Sequence, residues 1–377
     1  MGRGQGAGQK LLGRERDHSL RDLLAAPCRR GARVDRLSHR TCFERDQGRI
    51  LVRMATARQT VLGLMMVTAI AGSGCGNTIG LPGPVSSPPP AQTPVAVNAV
   101  AASIQLDGQP LTVTIAPDGK PWVVSATSAG VAIEIDPVTN ATARRAPVTA
   151  GLAATACDGS IWIGSANSLD RFEPTSAVVS AEIPTPSQAN VVACGFGYTW
   201  TTDWQGNVLL RIDPATNTIT GRLGVMKLPG AIAVGSDRLW VGGLGGTIDR
   251  VNPATLRVDG SVGGLDGLMD LAILDGRLFA IGSNGSSAWV ASIDQTSATV
   301  TTRATLPGSA YHLVAGGDSL WVSLSDAKSV ARVDPTTLVS EAEIPVGGTP
   351  EGLAWQPGSL WVAVSKPPMV VRIETGP

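Results

Sequence analysis

Three ionisable residues of types that bind metals or exchange protons recur at similar intervals in the C-terminal part of the chain. Asp270, His312 and Glu351 are separated by 42 and 39 residues. Two carboxylates and an imidazole can ligate a divalent metal or perform acid–base chemistry when a fold brings them together. The same residue types also suit polar loops that have no such role. The spacing matters because the surrounding sequence repeats with a similar period.

An aromatic residue in a short apolar segment marks this repeat. The segments are "PWVV", "IWIG", "YTWTT", "RLWVG", "RLFAI", "SLWVS" and "SLWVA", and their aromatics are Trp122, Trp162, Trp200, Trp240, Phe279, Trp321 and Trp361. Successive aromatics lie 40, 38, 40, 39, 42 and 40 residues apart, and a turn motif related to "IDPATN" follows each one. A period near 40 with short strands between turns is typical of a β-propeller, with one four-stranded blade per repeat. The sequence therefore predicts an all-β, seven-bladed propeller over residues 98–377.

Both repeated motifs have a structural interpretation that competes with a functional one. The aromatics could stack on a ligand, but each ring would bury about 150–250 Å² in the wedge between adjacent blades, which favours a core position. The Asp of "IDPATN" could bind a metal. The following Pro instead favours a type I turn whose backbone the Asp side chain caps.

The seventh repeat contains three predicted strands, near 352–355, 360–364 and 370–373, and no fourth. The segment "VAASIQLDGQP", which precedes the first repeat, is similar to fourth-strand segments such as "VSEAEIPVGGTP". We therefore predict that this N-terminal strand completes the last blade and covers its otherwise open edge.

A candidate site follows from the positions that begin the innermost strands. These positions lie about ten residues before each repeated aromatic and should surround the channel mouth, where propeller ligands usually bind. The ionisable ones cluster on blades 5 to 7, and the loop "TTDWQGN" of blade 3 should reach the same face. The candidate ligand-binding residues are Asp203, Trp204, Asp270, Tyr311, His312 and Glu351. We assign no catalytic residue and predict no cofactor; a divalent metal at Asp270, His312 and Glu351 is the alternative.

Two cysteines end the predicted innermost strands of blades 2 and 3. Cys157 and Cys194 could form a disulfide that closes a loop of about 37 residues, worth roughly 3–4 kcal/mol in the chain-entropy model. The alternative is a pair of small buried thiols.

The first 97 residues differ in composition from the repeats. Residues 1–53 hold 13 Lys and Arg against 6 Asp and Glu without sustained periodicity. They are either a disordered basic segment or the product of a start codon assigned upstream of the true start at Met54. Residues 54–75 have a basic residue, an apolar run and small residues before Cys75, which predicts a secretory signal. The apolar run, from position 61 to 71, is shorter than the roughly 20 residues that span a bilayer. Residues 76–97 form a predicted Pro-, Ser- and Gly-rich linker.

The end of this signal resembles the lipobox of bacterial lipoproteins, in which a Cys that follows small residues receives lipid on its sulfur. Cys75 would then be the lipid-attachment residue, and the protein would be exported and anchored to the outer side of the cytoplasmic membrane. Gly72 stands where a Leu or Val is usual. Cleavage after Ala71, which would give a freely secreted protein, is the alternative.

The repeats themselves resemble the YVTN-type and virginiamycin B lyase-like propellers over residues 98–377. The shared motifs are the "LWV" strand, the "IDPATN" turn and the segment "IPVGGTPEGLAW" from Ile344 to Trp355. The resemblance implies a propeller, but the lyase uses a His-containing polar cluster and this region has the single histidine His312. The metal site of the six-bladed lactonase kind does not match seven repeats. The activity of these relatives is therefore not transferred.

Charge narrows the class of partner. Residues 54–377 hold 17 Lys and Arg against 24 Asp and Glu, and this acidic balance argues against nucleic acid. The leading interpretation is a lipid-anchored propeller of the cell envelope that binds a protein or a cell-wall ligand without catalysis. The alternative is a metal-assisted lyase or hydrolase of the virginiamycin B lyase-like type at the channel mouth.

Overall fold

The computed structural model describes residues 98–126, 130–285 and 287–376. The predicted signal, Cys75 and the linker lie outside these residues. The regular structure of the described residues is 28 β-strands. None of their segments is a helix long and apolar enough to cross a membrane.

The strands form seven antiparallel four-stranded sheets, so the prediction of a seven-bladed propeller is confirmed. The first strand is β1 (Ala99–Gln105). Blade 1 contains β2 (Pro110–Ile115), β3 (Pro121–Ser125), β4 (Val131–Asp136) and β5 (Ala141–Pro147). Blade 2 contains β6 (Ala153–Cys157), β7 (Ser160–Gly164), β8 (Ser168–Glu173) and β9 (Val178–Pro184). Blade 3 contains β10 (Ala189–Gly195), β11 (Tyr198–Asp203), β12 (Val208–Asp213) and β13 (Thr218–Gly224). Blade 4 contains β14 (Pro229–Val234), β15 (Leu239–Gly243), β16 (Thr247–Asn252) and β17 (Arg257–Val262). Blade 5 contains β18 (Leu268–Leu274), β19 (Arg277–Asn284), β20 (Ser287–Asp294) and β21 (Thr299–Pro307). Blade 6 contains β22 (Ala310–Gly316), β23 (Ser319–Leu324), β24 (Ser329–Val333) and β25 (Ser340–Pro345). Blade 7 contains β26 (Pro350–Gln356), β27 (Gly358–Ser365) and β28 (Pro368–Gly376).

Strand β1 supplies the fourth strand of blade 7, as predicted. It pairs antiparallel with β28, with Ser103 opposite Val371 and Ile104 opposite Val370. Ile104 is 8% exposed and packs in one cluster with Trp361 and Val370. The pairing covers the edge of β28 and closes the ring, which removes an exposed strand edge.

The repeated aromatics are core residues, as predicted. All seven are between 0 and 1% exposed. Trp240 of blade 4, for example, shares a buried cluster with Leu278 and Ile293 of blade 5. Each ring therefore fills the wedge between neighbouring blades, and the ligand-stacking interpretation of these aromatics is wrong.

The "IDPATN" motifs are turns, as predicted, and their Asp side chains cap the turn backbone. Asp136 Oδ1 accepts hydrogen bonds from the backbone N of Val138 and Thr139, at 2.8 and 3.1 Å. These bonds favour the charged form and hold the pKa of Asp136 below its ordinary value. Asp334 makes the equivalent bonds in blade 6, and its pKa is lowered for the same reason.

Arginines that the sequence analysis did not identify connect the core aromatics to the next blade. The Arg372 guanidinium lies 5.6 Å from the centre of the Trp361 ring and donates to the carbonyl O of Pro137 in blade 1, at 2.8 Å. Arg250 stacks on Trp240 and bonds a carbonyl of blade 5 in the same way. Such cation–π contacts add about 0.5–2 kcal/mol each. Arg372 thus joins the last blade to the first, independently of β1.

The two predicted disulfide partners lie side by side on β6 and β10. Their Cα atoms are 6.3 Å apart and their sulfur atoms are at bonding distance. This Cα separation lies within the usual range for a disulfide.

We propose that Cys157 and Cys194 form a disulfide in the folded protein. The Cys157→Ser, Cys194→Ser double variant should then lose about 3–4 kcal/mol of unfolding free energy, because the unfolded chain regains the freedom of the closed loop. Urea titration measures the loss, with Val138→Ala, at an exposed turn residue, as the control. Peptide mapping of unreduced wild-type protein should recover the cross-linked pair; free thiols at both positions would refute the bond.

Candidate functional site at the channel mouth

A cavity of about 280 Å³ lies where the innermost strands begin. Blades 1 to 6 all contribute to its lining, and we call it the mouth cavity. Four of the six predicted candidates line it: Trp204, Asp270, Tyr311 and His312. Its size is close to the lower end for small-molecule sites. One end of the ring is therefore open to a ligand that contacts several blades at once.

β-Bulges explain why polar side chains reach this cavity. In six blades the pairing of the innermost strand with its neighbour shifts register near its first residues: Pro110/Thr112, Ala189/Val192, Pro229/Ala231, Leu268/Asp270, Ala310/Leu313 and Pro350/Leu353. A bulge leaves residues unpaired and redirects their side chains. Tyr311 and His312 both lie inside the bulge of β22, and Asp270 directly follows that of β18.

Asp270 and His312 form the ionisable part of the cavity wall. His312 Nδ1 lies 3.7 Å from Asp270 Oδ2, and their side chains are 37% and 14% exposed. The two Asp270 carboxylate oxygens accept hydrogen bonds from the backbone N of Leu271 and Leu313, both at 2.8 Å. Burial raises the pKa of Asp270, while His312 and the two backbone bonds oppose the rise. His312 Nδ1 is buried and has no hydrogen-bond partner.

Tyr311 stands beside this pair, and Glu351 is held away from the cavity. Tyr311 is 40% exposed. Burial, followed by the nearby charges of Glu351 and Asp270, raises the pKa of Tyr311. Glu351 does not line the cavity, because its Oε1 accepts a 2.6 Å hydrogen bond from Ser365 Oγ. Burial also raises the pKa of Glu351.

Trp204 forms an aromatic wall that depends on a glycine. A Cβ at Gly230 would lie 2.9 Å from Trp204 Cζ3 and 3.4 Å from Asn190 Nδ2, so a larger residue there would displace the ring. Asn190 Oδ1 accepts a 2.9 Å bond from Gln188 Nε2. The sequence analysis did not identify Gln188, and Asn190 lies at the predicted mouth position, ten residues before the blade 3 aromatic, but was not among the candidates.

Asp203, the sixth candidate, belongs to the structure of its own loop. It is 3% exposed and absent from the cavity wall. Its Oδ1 accepts bonds from Ser187 Oγ and from the backbone N of Gly206. The carboxylate therefore stabilises the turn that presents Trp204.

The three-residue metal site suggested by the sequence spacing is not assembled. Asp270 and His312 approach each other, but Glu351 bonds Ser365 instead. Across the part of the chain that the structure describes, no group of three or more His, Cys, Asp or Glu residues could hold a metal ion.

Comparisons with known proteins support the fold class alone. The chain matches no protein-family model and no curated protein. Among solved structures it is similar to Kuenenia stuttgartiensis hydrazine synthase, with 14% identity, a TM-score of 0.64, and coverage of 73% of this chain and 98% of that one. It is also similar to the WD40 β-propeller domain of Doa1 (12%, TM-score 0.61, 73% and 96%) and to the Neurospora crassa Pan2 WD40 domain (12%, TM-score 0.57, 72% and 90%). The protein is thus a seven-bladed β-propeller.

Proposed function

We propose that this protein is a non-enzymatic binding module of the cell envelope, which captures a protein or cell-wall ligand at the mouth cavity. The observation that carries the proposal is the cavity itself, in which six blades combine apolar walls with Trp204, Asp270, Tyr311 and His312. Ligand sites are usually clefts that combine apolar surface with a few convergent polar groups. Propellers commonly serve as interaction platforms, which agrees with this reading.

Capture can be tested with the full-length protein and its own cell envelope. Wild type should co-sediment with a cell-wall or envelope-protein fraction, because the mouth presents the aromatic side chains of Trp204 and Tyr311. The Trp204→Ala, Tyr311→Ala double variant should lose this association. Val138→Ala is the control, since Val138 is an exposed turn residue that does not line the cavity. Undiminished capture by the double variant would contradict the proposal.

The proposed location depends on Cys75 and on the signal before it. Two or more acyl chains hold a protein firmly on a membrane, whereas a single chain binds only weakly, at about 10⁴ M⁻¹. We expect Cys75→Ser to move the protein from the membrane to the soluble fraction, as measured by fractionation and immunoblotting. Ser86→Ala, a substitution in the predicted linker, should leave it on the membrane. If the Cys75 variant stays bound, the anchor is another feature; wild type in the medium would instead favour cleavage after Ala71.

The alternative function is a metal-assisted lyase or hydrolase of the virginiamycin B lyase-like type. The placement of His312 Nδ1 near the Asp270 carboxylate favours it, because a carboxylate can orient an imidazole for proton transfer or metal binding. Melting temperatures with EDTA and with Mg²⁺, Ca²⁺ or Zn²⁺ discriminate the two functions. A metal-dependent rise that His312→Ala abolishes would support the enzyme, and the absence of any shift would count against it.

A further inference from the structure

We propose that the mouth cavity recognises an alkylammonium group, with Asp270 as its counter-ion and Trp204 and Tyr311 as its aromatic walls. The inference rests on the proposed binding function and names the ligand chemistry of the same site. A primary amine of a cell-wall peptide and a lysine side chain of a protein share this chemistry.

The first argument is the charge of the cavity wall. Asp270 presents a carboxylate that is 14% exposed. None of the described residues that line the cavity is a Lys or an Arg. His312 Nδ1 stands 3.7 Å away, beyond hydrogen-bond distance. Burial disfavours the charged form of a carboxylate, and no Lys or Arg of the described lining offsets this cost at Asp270, so a ligand cation would stabilise the carboxylate.

The second argument is that Asp270 is already fixed in place. Each of its oxygens accepts one backbone N–H at 2.8 Å, and each keeps a further lone pair for a ligand donor. Because Leu271 and Leu313 belong to the innermost strands of two adjacent blades, the carboxylate is held by the ring itself. Little conformational freedom is then lost when a ligand binds.

The third argument is the character of the remaining walls. The Trp204 ring packs over Gly230, and Tyr311 is 40% exposed. Ammonium groups bind favourably over such rings. Leu244, also 40% exposed, and Met269 supply apolar surface for an alkyl chain. An anionic ligand would meet the Asp270 carboxylate, and none of the described lining residues is a Lys or Arg that could pair with it.

A series of three small probes tests the proposal on the full-length protein. n-Butylammonium, n-butanol and butyrate have similar size and differ in charge. We expect isothermal titration calorimetry to detect n-butylammonium binding, with butanol and butyrate at least about tenfold weaker because they lack the ion pair and the cation–π contact. Binding of butanol or butyrate as tight as that of n-butylammonium, or no binding of n-butylammonium, would overturn the proposal.

Variants locate the binding within the cavity. Asp270→Asn should weaken n-butylammonium binding by about tenfold or more, and Trp204→Leu by a few-fold. Asp326→Asn, which removes an exposed carboxylate that does not line the cavity, should change nothing. Asp270 also accepts two backbone hydrogen bonds that stabilise the fold. If the Asp270→Asn variant does not fold, the effect of Trp204→Leu on n-butylammonium binding decides the test. Unchanged binding in a folded Asp270→Asn variant, or in Trp204→Leu, would overturn the proposal.

Acetylation of the amine in each candidate ligand tests which ligand supplies the amine. N-acetylated peptidoglycan should lose binding relative to untreated peptidoglycan if the cell wall supplies the amine. A peptide with lysine should outcompete its acetyl-lysine counterpart if a protein does. The proposal would be overturned if acetylation weakened binding neither of peptidoglycan nor of the lysine peptide. The proposed binding function would still stand if envelope capture remained sensitive to the Trp204→Ala, Tyr311→Ala variant, so the two failures are distinguishable.

Discussion

Deletion of residues 98–108 is expected to make the protein insoluble or molten. The deletion removes β1, exposes the edge of β28 and takes Ile104 and Leu106 out of the core, where they are 8% and 7% exposed. Loss of two such side chains alone costs about 3–6 kcal/mol, a large share of the roughly 5–15 kcal/mol that stabilises a typical domain. The near-UV circular dichroism should weaken while far-UV strand signal persists, as in other states that lose fixed packing.

A deletion of equal length in the predicted linker, residues 78–88, is the matched control for this experiment. It shortens the tether and should leave the thermal unfolding transition unchanged. A protein that lacks residues 98–108 but melts cooperatively at the wild-type temperature would show that β1 does not contribute to blade 7.

Replacement of Trp240 by Ala is expected to lower the free energy of unfolding by about 3–5 kcal/mol, the usual cost of removing a buried aromatic side chain. Trp240 is fully buried, and its Nε1 donates a 3.0 Å hydrogen bond to Gln295 Oε1 of blade 5. The stacked Arg250 would lose its ring as well. Urea denaturation followed by far-UV circular dichroism gives the value.

Trp204→Ala is the matched control, because it truncates the same residue type outside the core. Trp204 is half-buried at the mouth, so we expect a loss of less than about 1 kcal/mol together with weakened ligand capture. Similar small losses for both variants would mean that Trp240 does not support the blade interface.

The fold was predictable because its determinants are local and repeated. Each blade needs one large aromatic ring between it and the next blade, and one tight turn. An aromatic residue equivalent to Trp240 and a turn motif similar to "NPAT" therefore recur at a regular spacing along the chain. Ring closure was also visible, because "VAASIQLDGQP" has the pattern of an outer strand. The arginines that connect adjacent blades recur less regularly in the sequence than the aromatics do. Arg372 follows Trp361 by eleven residues, but blade 1 places Glu134 opposite Trp122 and uses Arg144 from the next strand instead.

The site was predictable only in part, because side-chain direction depends on contacts between strands. Counting back from the core aromatics placed Asp270, Tyr311 and His312 at the mouth. The count did not reveal the bulges that turn them inward. It also could not show that Ser365 holds Glu351 and that Ser187 holds Asp203. These hydrogen bonds decide which carboxylates face the cavity, and no local motif encodes them.

A cysteine pair across β1 and β28 tests the closed ring, on which the shared mouth of six blades depends. Ser103 and Val371 are direct cross-strand partners, and such pairs have Cα separations of about 4.5–5.5 Å, which suit a disulfide. In the full-length Ser103→Cys, Val371→Cys variant, oxidation and peptide mapping should recover the 103–371 cross-link, whereas a Ser103→Cys, Val178→Cys control should not form one. Free thiols at both positions, or a cross-link only in the control, would contradict the closed ring.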